Sequence, residues 1–315
     1  MEKDLWFSHN ASIKGLKEMK LVKTALFAPG INAKVMTRAM TSKVDAVILD
    51  LEDSVPLASK QQARELVREV ITGAFGTADK FDQPDIMVRT NSVDTGLLED
   101  DIRAVAIAGL DMLLIAKAEN VADIQAISKQ LDALEKERGI EPGHIELGLQ
   151  IETALGVYNC FNLIKASPRV TLTCIGTAQD GDLQNDLGCS WSIEGIELLY
   201  ARSKVLLDSR AAGKVIPIDG VFANLNDQEA LFQDSSLSAR LGYVGRTIIH
   251  PKQIEPVERA YGPSVSELIY YRRLMEVFEE AEKNGIAAIQ MDDKLIDYAM
   301  YRQAKRIVSL EKSPS

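Results

Sequence analysis

Eight short runs of β-branched and aliphatic residues recur along this chain, separated by stretches with helical patterning. They are Val22–Ala28, Ala46–Leu51, Ile86–Arg89, Met112–Ala116, Ile145–Ile151, Val170–Ile175, Val215–Val221 and Arg246–Ile249. Between them, Ser59–Ile71, Val121–Arg138 and Ser192–Ala212 carry apolar residues at helical spacing. The last two stop at Gly139 and Gly213, residues that end helices readily. Strand–helix alternation leads to parallel pairing through right-handed crossovers. Parallel strands are covered on both faces, so they read as continuous apolar runs, as AVILDL and MLLIA do. Eight such units predict an α/β fold, a (β/α)8 TIM barrel. An open doubly wound sheet is the second architecture, but no GxGxxG follows the first run to support dinucleotide binding.

The eightfold pattern accounts for residues 1–262 and leaves 263–315 as a helical extension. There, Ser264-Val-Ser-Glu267 is a capping box, and a long helix should run to Asn284–Gly285. Ile286–Asp297 reads as a turn or short hairpin around Asp292–Asp293. A last helix, Tyr298–Leu310, would put Tyr298, Tyr301, Ala304 and Val308 on one face. Such a tail can cover the barrel or reach a neighbouring subunit.

With 36 basic against 46 acidic residues, the chain lacks the positive footprint that nucleic-acid binding needs. Its three cysteines, Cys160, Cys174 and Cys189, show no paired spacing and read as reduced thiols. Three histidines and no CxxC or HExxH make a zinc site improbable. Met1–Lys20 has no signal-peptide apolar core, and no run approaches a membrane span, so the sequence predicts a cytoplasmic protein.

Barrel active sites lie at the C-terminal ends of the strands, and polar residues crowd those ends here. They include Asp50, Glu52 and Asp53; Arg89 and Asn91; Lys117 and Glu119; Glu152; Asp180, Asp182 and Asp186; Asp219; and His250. Carboxylates converging on one mouth repel each other. Either a hard divalent cation holds them, Mg2+ being the usual one, or Arg89 and Lys117 neutralise part of the charge. Individually, each acid has an ordinary alternative as a helix cap or salt-bridge partner.

Leu26-Phe-Ala-Pro-Gly30, Lys34 and Asp45-Ala-Val-Ile-Leu-Asp-Leu-Glu-Asp-Ser-Val-Pro56 closely resemble the citrate lyase β-subunit-like family, within the HpcH/HpaI aldolase superfamily. Val88–Asn91, Gln150–Thr153, Asp182–Gly188, Ile218–Phe222 and Ile249–Ile254 continue the match in order. Two stretches depart from it. Lys23-Thr24 stands where the family has arginine–serine, and Gly176–Asp182 is longer than the compact Gly-x-Glu-Asp-Leu form.

The resemblance implies that Glu152 and Asp182 hold Mg2+, with Asp180 the alternative to Asp182. Arg89 would contact substrate oxygens. Glu52 and Asp53 would orient waters and Arg89, although Asp53 also suits a helix cap. Lys34 and Arg38 fall near the entrance for coenzyme A, or are simply solvated charges. Asp297 matches an acid that serves a neighbouring subunit's site as general acid/base, or else caps the last helix. The implied protein is a stand-alone homo-oligomer, a trimer or hexamer. Its implied reaction is retro-Claisen cleavage of citramalyl-CoA, ahead of malyl-CoA or citryl-CoA. A thioesterase or transferase and a non-catalytic CoA-binding protein are the remaining readings.

Overall fold

Every residue of Ala46–Asp50 is buried, as expected of a strand sandwiched between a barrel interior and a layer of helices. The computed structural model describes residues 21–74, 83–213 and 215–309. The expectation for Met1–Lys20 and the end of the last helix at Leu310 lie outside them. Eight parallel strands appear where the sequence predicts them: β1 Thr24–Pro29, β2 Ala46–Asp50, β3 Asp85–Thr90, β4 Met112–Ile115, β5 Glu146–Ile151, β6 Val170–Ile175, β7 Ile216–Ile218 and β8 Arg246–Ile248. The intervening helices are α1 Ala33–Met40, α2 Lys60–Ala74, α3 Leu98–Val105, α4 Val121–Arg138, α5 Ala154–Lys165, α6 Asp182–Leu187, α7 Ile196–Ala212, α8 Gln228–Leu241 and α9 Ile254–Tyr261. Strands β7 back to β1 pair in sequence order, and β8 lies beside β1. The fold is a (β/α)8 barrel, not an open sheet.

The seam between β7 and β8 completes the ring with few backbone bonds. Pro217 accepts from the Val244 N–H at 3.1 Å but has no N–H to return on that side. Asp219 carries the junction instead, donating to the Gly245 carbonyl at 2.8 Å and accepting from the Thr247 N–H at 2.9 Å. Buried ionic groups strap it. Arg246 donates twice to the Gly220 carbonyl, at 2.9 and 2.8 Å, and pairs with Asp234 at 2.8 Å. Arg202 pairs with the same Asp234 at 2.8 Å and lies 3.4 Å from Asp219.

Inside the ring, Ala25, Ala46, Ile48, Met87, Met112, Leu114, Leu172, Cys174 and Ile218 form one cluster. Gly148 of β5 faces it because a Cβ there would lie 2.9 Å from the Met112 sulfur and 3.0 Å from Leu114 Cδ1. Side chains alternate along a strand, so each inward residue predicts the next but one. Ala46 and Ile48 lead to Asp50, Met87 leads to Arg89, and Gly148 leads to Gln150 and then Glu152. The same two-residue period that fills the core therefore delivers charge to the mouth.

The described chain divides into two compact units, one ending at Glu258 and the other beginning at Arg259. In the second, Ser264 caps α10 (Val265–Lys283) through the predicted box, accepting from the Glu267 N–H while Glu267 accepts from the Ser264 N–H. A hairpin follows, β9 Ile289–Met291 and β10 Lys294–Ile296. Its turn residues Asp292 and Asp293 both adopt positive φ, +48° and +60°, as a tight primed turn requires. Helix α11 (Tyr298–Ser309) closes a small core of Leu274, Phe278, Met291, Ile296, Tyr301 and Ala304. No helix among the described residues is long and apolar enough to cross a membrane.

Candidate active site

Residues Asp50 and Arg89 are direct neighbours in the β2–β3 register. Arg89 grips the carboxylate with two donors, Nε at 2.7 Å and Nη2 at 2.9 Å. The Glu52 and Ser54 N–H groups donate to the same carboxylate at 3.0 and 3.1 Å, so Asp50 also folds the loop that carries Glu52. Burial pushes the Asp50 carboxyl up, but Arg89 and these donors outweigh it and its pKa is lowered. Arg89 is itself buried, yet its carboxylate partners raise its pKa, and it stays charged. Its guanidinium lies 4.9 Å over the Phe27 ring. The remaining nitrogen, Nη1, sits 2.9 Å from Glu52 and 3.4 Å from Asp53.

Lysine 117, two residues beyond β4, gathers the other acids. Its ammonium is 2.9 Å from Glu52 Oε1 and 3.2 Å from Asp182 Oδ2, and its backbone N–H donates to Glu152 Oε1 at 3.1 Å. Burial works against this charge, but the carboxylates prevail and raise its pKa. On the far side of Glu152, the Gln150 amide donates to Oε2 at 2.5 Å. Burial, with Glu52 next, pushes the Glu152 carboxyl up to about 7, against the pull of Arg89, Gln150 and Lys117. Burial also raises Glu52.

Local structure explains how Glu152 and Asp182 reach this point. Thr153 caps α5 by accepting from the Gly156 N–H at 3.0 Å, and Asp186 accepts from the Ala154 N–H at 2.6 Å. These contacts turn the chain sharply after Glu152. Gly176 leaves room for the acid, since a Cβ there would lie 2.6 Å from Glu152 Cβ. Asp182 opens α6, its carboxylate toward Lys117, while the hydrogen bonds of Asp180 run through its backbone.

The donor set suits a hard cation. Among the described residues no cluster of three or more His, Cys, Asp or Glu side chains could chelate a metal. Mg2+ does not need one, because it commonly takes one or two carboxylates and keeps its waters. Two buried oxygens at the mouth, Glu52 Oε2 and Gln150 Oε1, accept no hydrogen bond. Glu52 Oε2 does lie 2.9 Å from Arg89 Nη1, so its contact is an ion pair too bent to be a hydrogen bond.

The other predicted residues make contacts of their own. Lys34 and Arg38 are exposed on α1, four residues apart. Asp297 is exposed in the second unit and caps α11, accepting from the Ala299 and Met300 N–H groups at 2.8 and 3.2 Å. Asn91 bonds Asp101 through N and Nδ2, and Asp219 belongs to the barrel seam. His250 caps the turn after β8 through Nδ1. Burial pushes the Cys160 thiol up to about 12 and raises Cys174 as well, so neither is a ready nucleophile. Sequence reasoning assigns no role to Gln150 or Gly176: Gln150 stands two residues before Glu152, whereas Gly176 meets Glu152 only across neighbouring strand ends.

The family model for HpcH/HpaI aldolase/citrate lyase matches residues 23–251, which span all eight barrel strands. The chain belongs to this family. It is 35% identical to the citrate lyase subunit beta of Leuconostoc mesenteroides subsp. cremoris, over 92% of this chain and 93% of that protein. It is 29% identical to the mitochondrial citramalyl-CoA lyase of Rattus norvegicus, over 92% and 86% respectively. Among solved structures it resembles Mycobacterium tuberculosis CitE in complex with magnesium and pyruvate. That likeness has a TM-score of 0.61 and 26% identity over 78% of this chain and 92% of that one.

Proposed function

We propose that this chain is a Mg2+-dependent carbon–carbon lyase that cleaves (S)-citramalyl-CoA to pyruvate and acetyl-CoA. The charge balance of the barrel mouth carries the reading. Asp50, Glu52, Glu152 and Asp182 bring four carboxylates, while Arg89 and Lys117 bring two cations. Asp53, 3.4 Å from Arg89 Nη1, adds a fifth, so acids outnumber cations at the mouth and a divalent ion would offset the excess. Held by Glu152 and Asp182, Mg2+ would supply Lewis-acid stabilisation of charge developing on the oxygens of the 2-oxoacid half.

The chain's own residues complete the site. Arg89, fixed by Asp50, adds a preorganised positive charge that would stabilise negative charge on an oxygen of the 2-oxoacid half. Glu52 touches Arg89 and Lys117 together and positions both cations. Lys34 and Arg38 would meet the phosphates of coenzyme A. Asp297 of a second copy would return a proton to the acetyl enolate carbon, a role that requires a homo-oligomer. Three free cysteines, Cys160 and Cys174 buried and Cys189 half-buried, suit a reducing compartment such as the cytoplasm.

Citramalyl-CoA comes first because the chain keeps the extension that carries Asp297, which favours a stand-alone lyase. A citryl-CoA lyase subunit is the second reading, favoured by 35% identity to a citrate lyase β subunit against 29% to a citramalyl-CoA lyase. Both are tested by supplying citramalyl-CoA, malyl-CoA and citryl-CoA with Mg2+ or with EDTA, and assaying oxoacid and free thiol. Metal-dependent pyruvate without free thiol is the expected outcome. Oxaloacetate from citryl-CoA would select the second reading, glyoxylate a malyl-CoA lyase and free thiol a thioesterase. No product from any of them would leave a CoA-binding protein.

A further inference from the structure

Lysine 117 is the one non-glycine residue of the described barrel mouth, apart from Asp180, that adopts positive φ, at +47°. Glycine would suit this backbone better, so the side chain must answer to something other than local conformation. The turn aims its N–H at Glu152 and its ammonium at Glu52 and Asp182, so one residue touches three acids. The ammonium is a compact point charge with rotatable donors on a flexible stem, closer to a metal ion in its demands than a guanidinium is. Its side chain is 28% exposed and that of Asp182 is 41% exposed, so the contact can open toward solvent.

We propose that Lys117 is a positioning residue that acts as a built-in counter-cation, holding Asp182 against Glu52 in the metal-free enzyme and yielding Asp182 to Mg2+. The inference rests on the metal-dependent reading above. Ammonium and Mg2+ compete for the same carboxylate, so the side chain keeps the acids assembled while weakening metal affinity. The metal site is thereby preformed, and metal exchange stays easy.

The test is Mg2+ titration by calorimetry, with thermal unfolding in EDTA and in excess MgCl2, on wild type, Lys117→Met, Lys117→Gly and Lys117→Arg. Glycine accepts the left-handed backbone and keeps the N–H to Glu152, so it guards against a misfolded methionine variant. Removing the ammonium should tighten Mg2+ binding at least about tenfold in both uncharged variants, as expected for a competing charge within 4 Å near the surface. It should also lower the melting temperature in EDTA while enlarging the rise on adding Mg2+. Arginine keeps the charge but spreads it over a planar fork, so it should fall between wild type and the uncharged variants. Equal or weaker Mg2+ binding by folded Lys117→Gly, or equal loss of melting temperature with and without metal, would overturn the proposal. A wild type that binds no Mg2+ would overturn the metal-dependent reading itself, and this inference with it.

Discussion

Replacing Glu152 by glutamine keeps the shape of the side chain and removes its charge. The Gln150 amide can turn over to receive it, because its Oε1 is buried and accepts no hydrogen bond. In the metal-free protein Glu152 titrates at about 7 in place of 4.5. Ionising it in the fold therefore costs roughly 3 kcal/mol more than ionising it in the unfolded chain. The folded state holds this proton more tightly than the unfolded state, so stability from this group is full below 4.5 and is lost as pH rises through about 7. Urea unfolding in EDTA at about pH 5 and about pH 8 should show wild type losing roughly 2–3 kcal/mol relative to Glu152→Gln. Excess MgCl2 at the higher pH should restore wild type by mass action and leave the variant unmoved. A wild-type-minus-variant difference that stays constant across the two pH values would refute the reasoning, since it would mean Glu152 is ionised throughout.

Three further outcomes follow from the geometry. Gly176→Ala puts a methyl 2.6 Å from Glu152 Cβ, so calorimetry should show Mg2+ affinity falling about tenfold while the fold loses roughly 1–3 kcal/mol. Arg246→Met removes both donors from the Gly220 carbonyl and leaves the buried Asp219 and Asp234 to share Arg202, and urea unfolding should register a loss of roughly 3–5 kcal/mol. Asp297→Asn keeps the cap of α11, because asparagine caps as well as aspartate, so the melting temperature should hold. If Asp297 is the proton donor, turnover of the same variant should drop roughly 100- to 10,000-fold.

Much of the barrel is legible in the sequence because its signals are local. A strand covered on both faces must be apolar throughout, and Ala46–Asp50 announces itself by that alone. Likewise Ser264 and Glu267 satisfy each other within four residues, and Gly139 ends α4 because its left-handed φ of +66° suits glycine. Asn91 and Asp219 show the limit of this reasoning. Both sit at strand ends, yet one turns to Asp101 and the other is taken up by the seam, and nothing within their own segments says so.

The sequence by itself determined the number of strand–helix units, their order, and which acids and bases stand at the strand ends, since a period of two or 3.6 is written residue by residue. Only the tertiary structure decided which charges meet. Arg89 spends its fork on Asp50 because the β2–β3 register sets them side by side. Lys117 reaches Glu52, 65 residues away, because ring closure brings distant strand ends to one mouth. Gly148 and Gly176 are required by side chains on neighbouring strands or loops, not by their own backbone. Pairing and packing are properties of the closed ring, so the charge balance at its mouth exists only once the chain has folded.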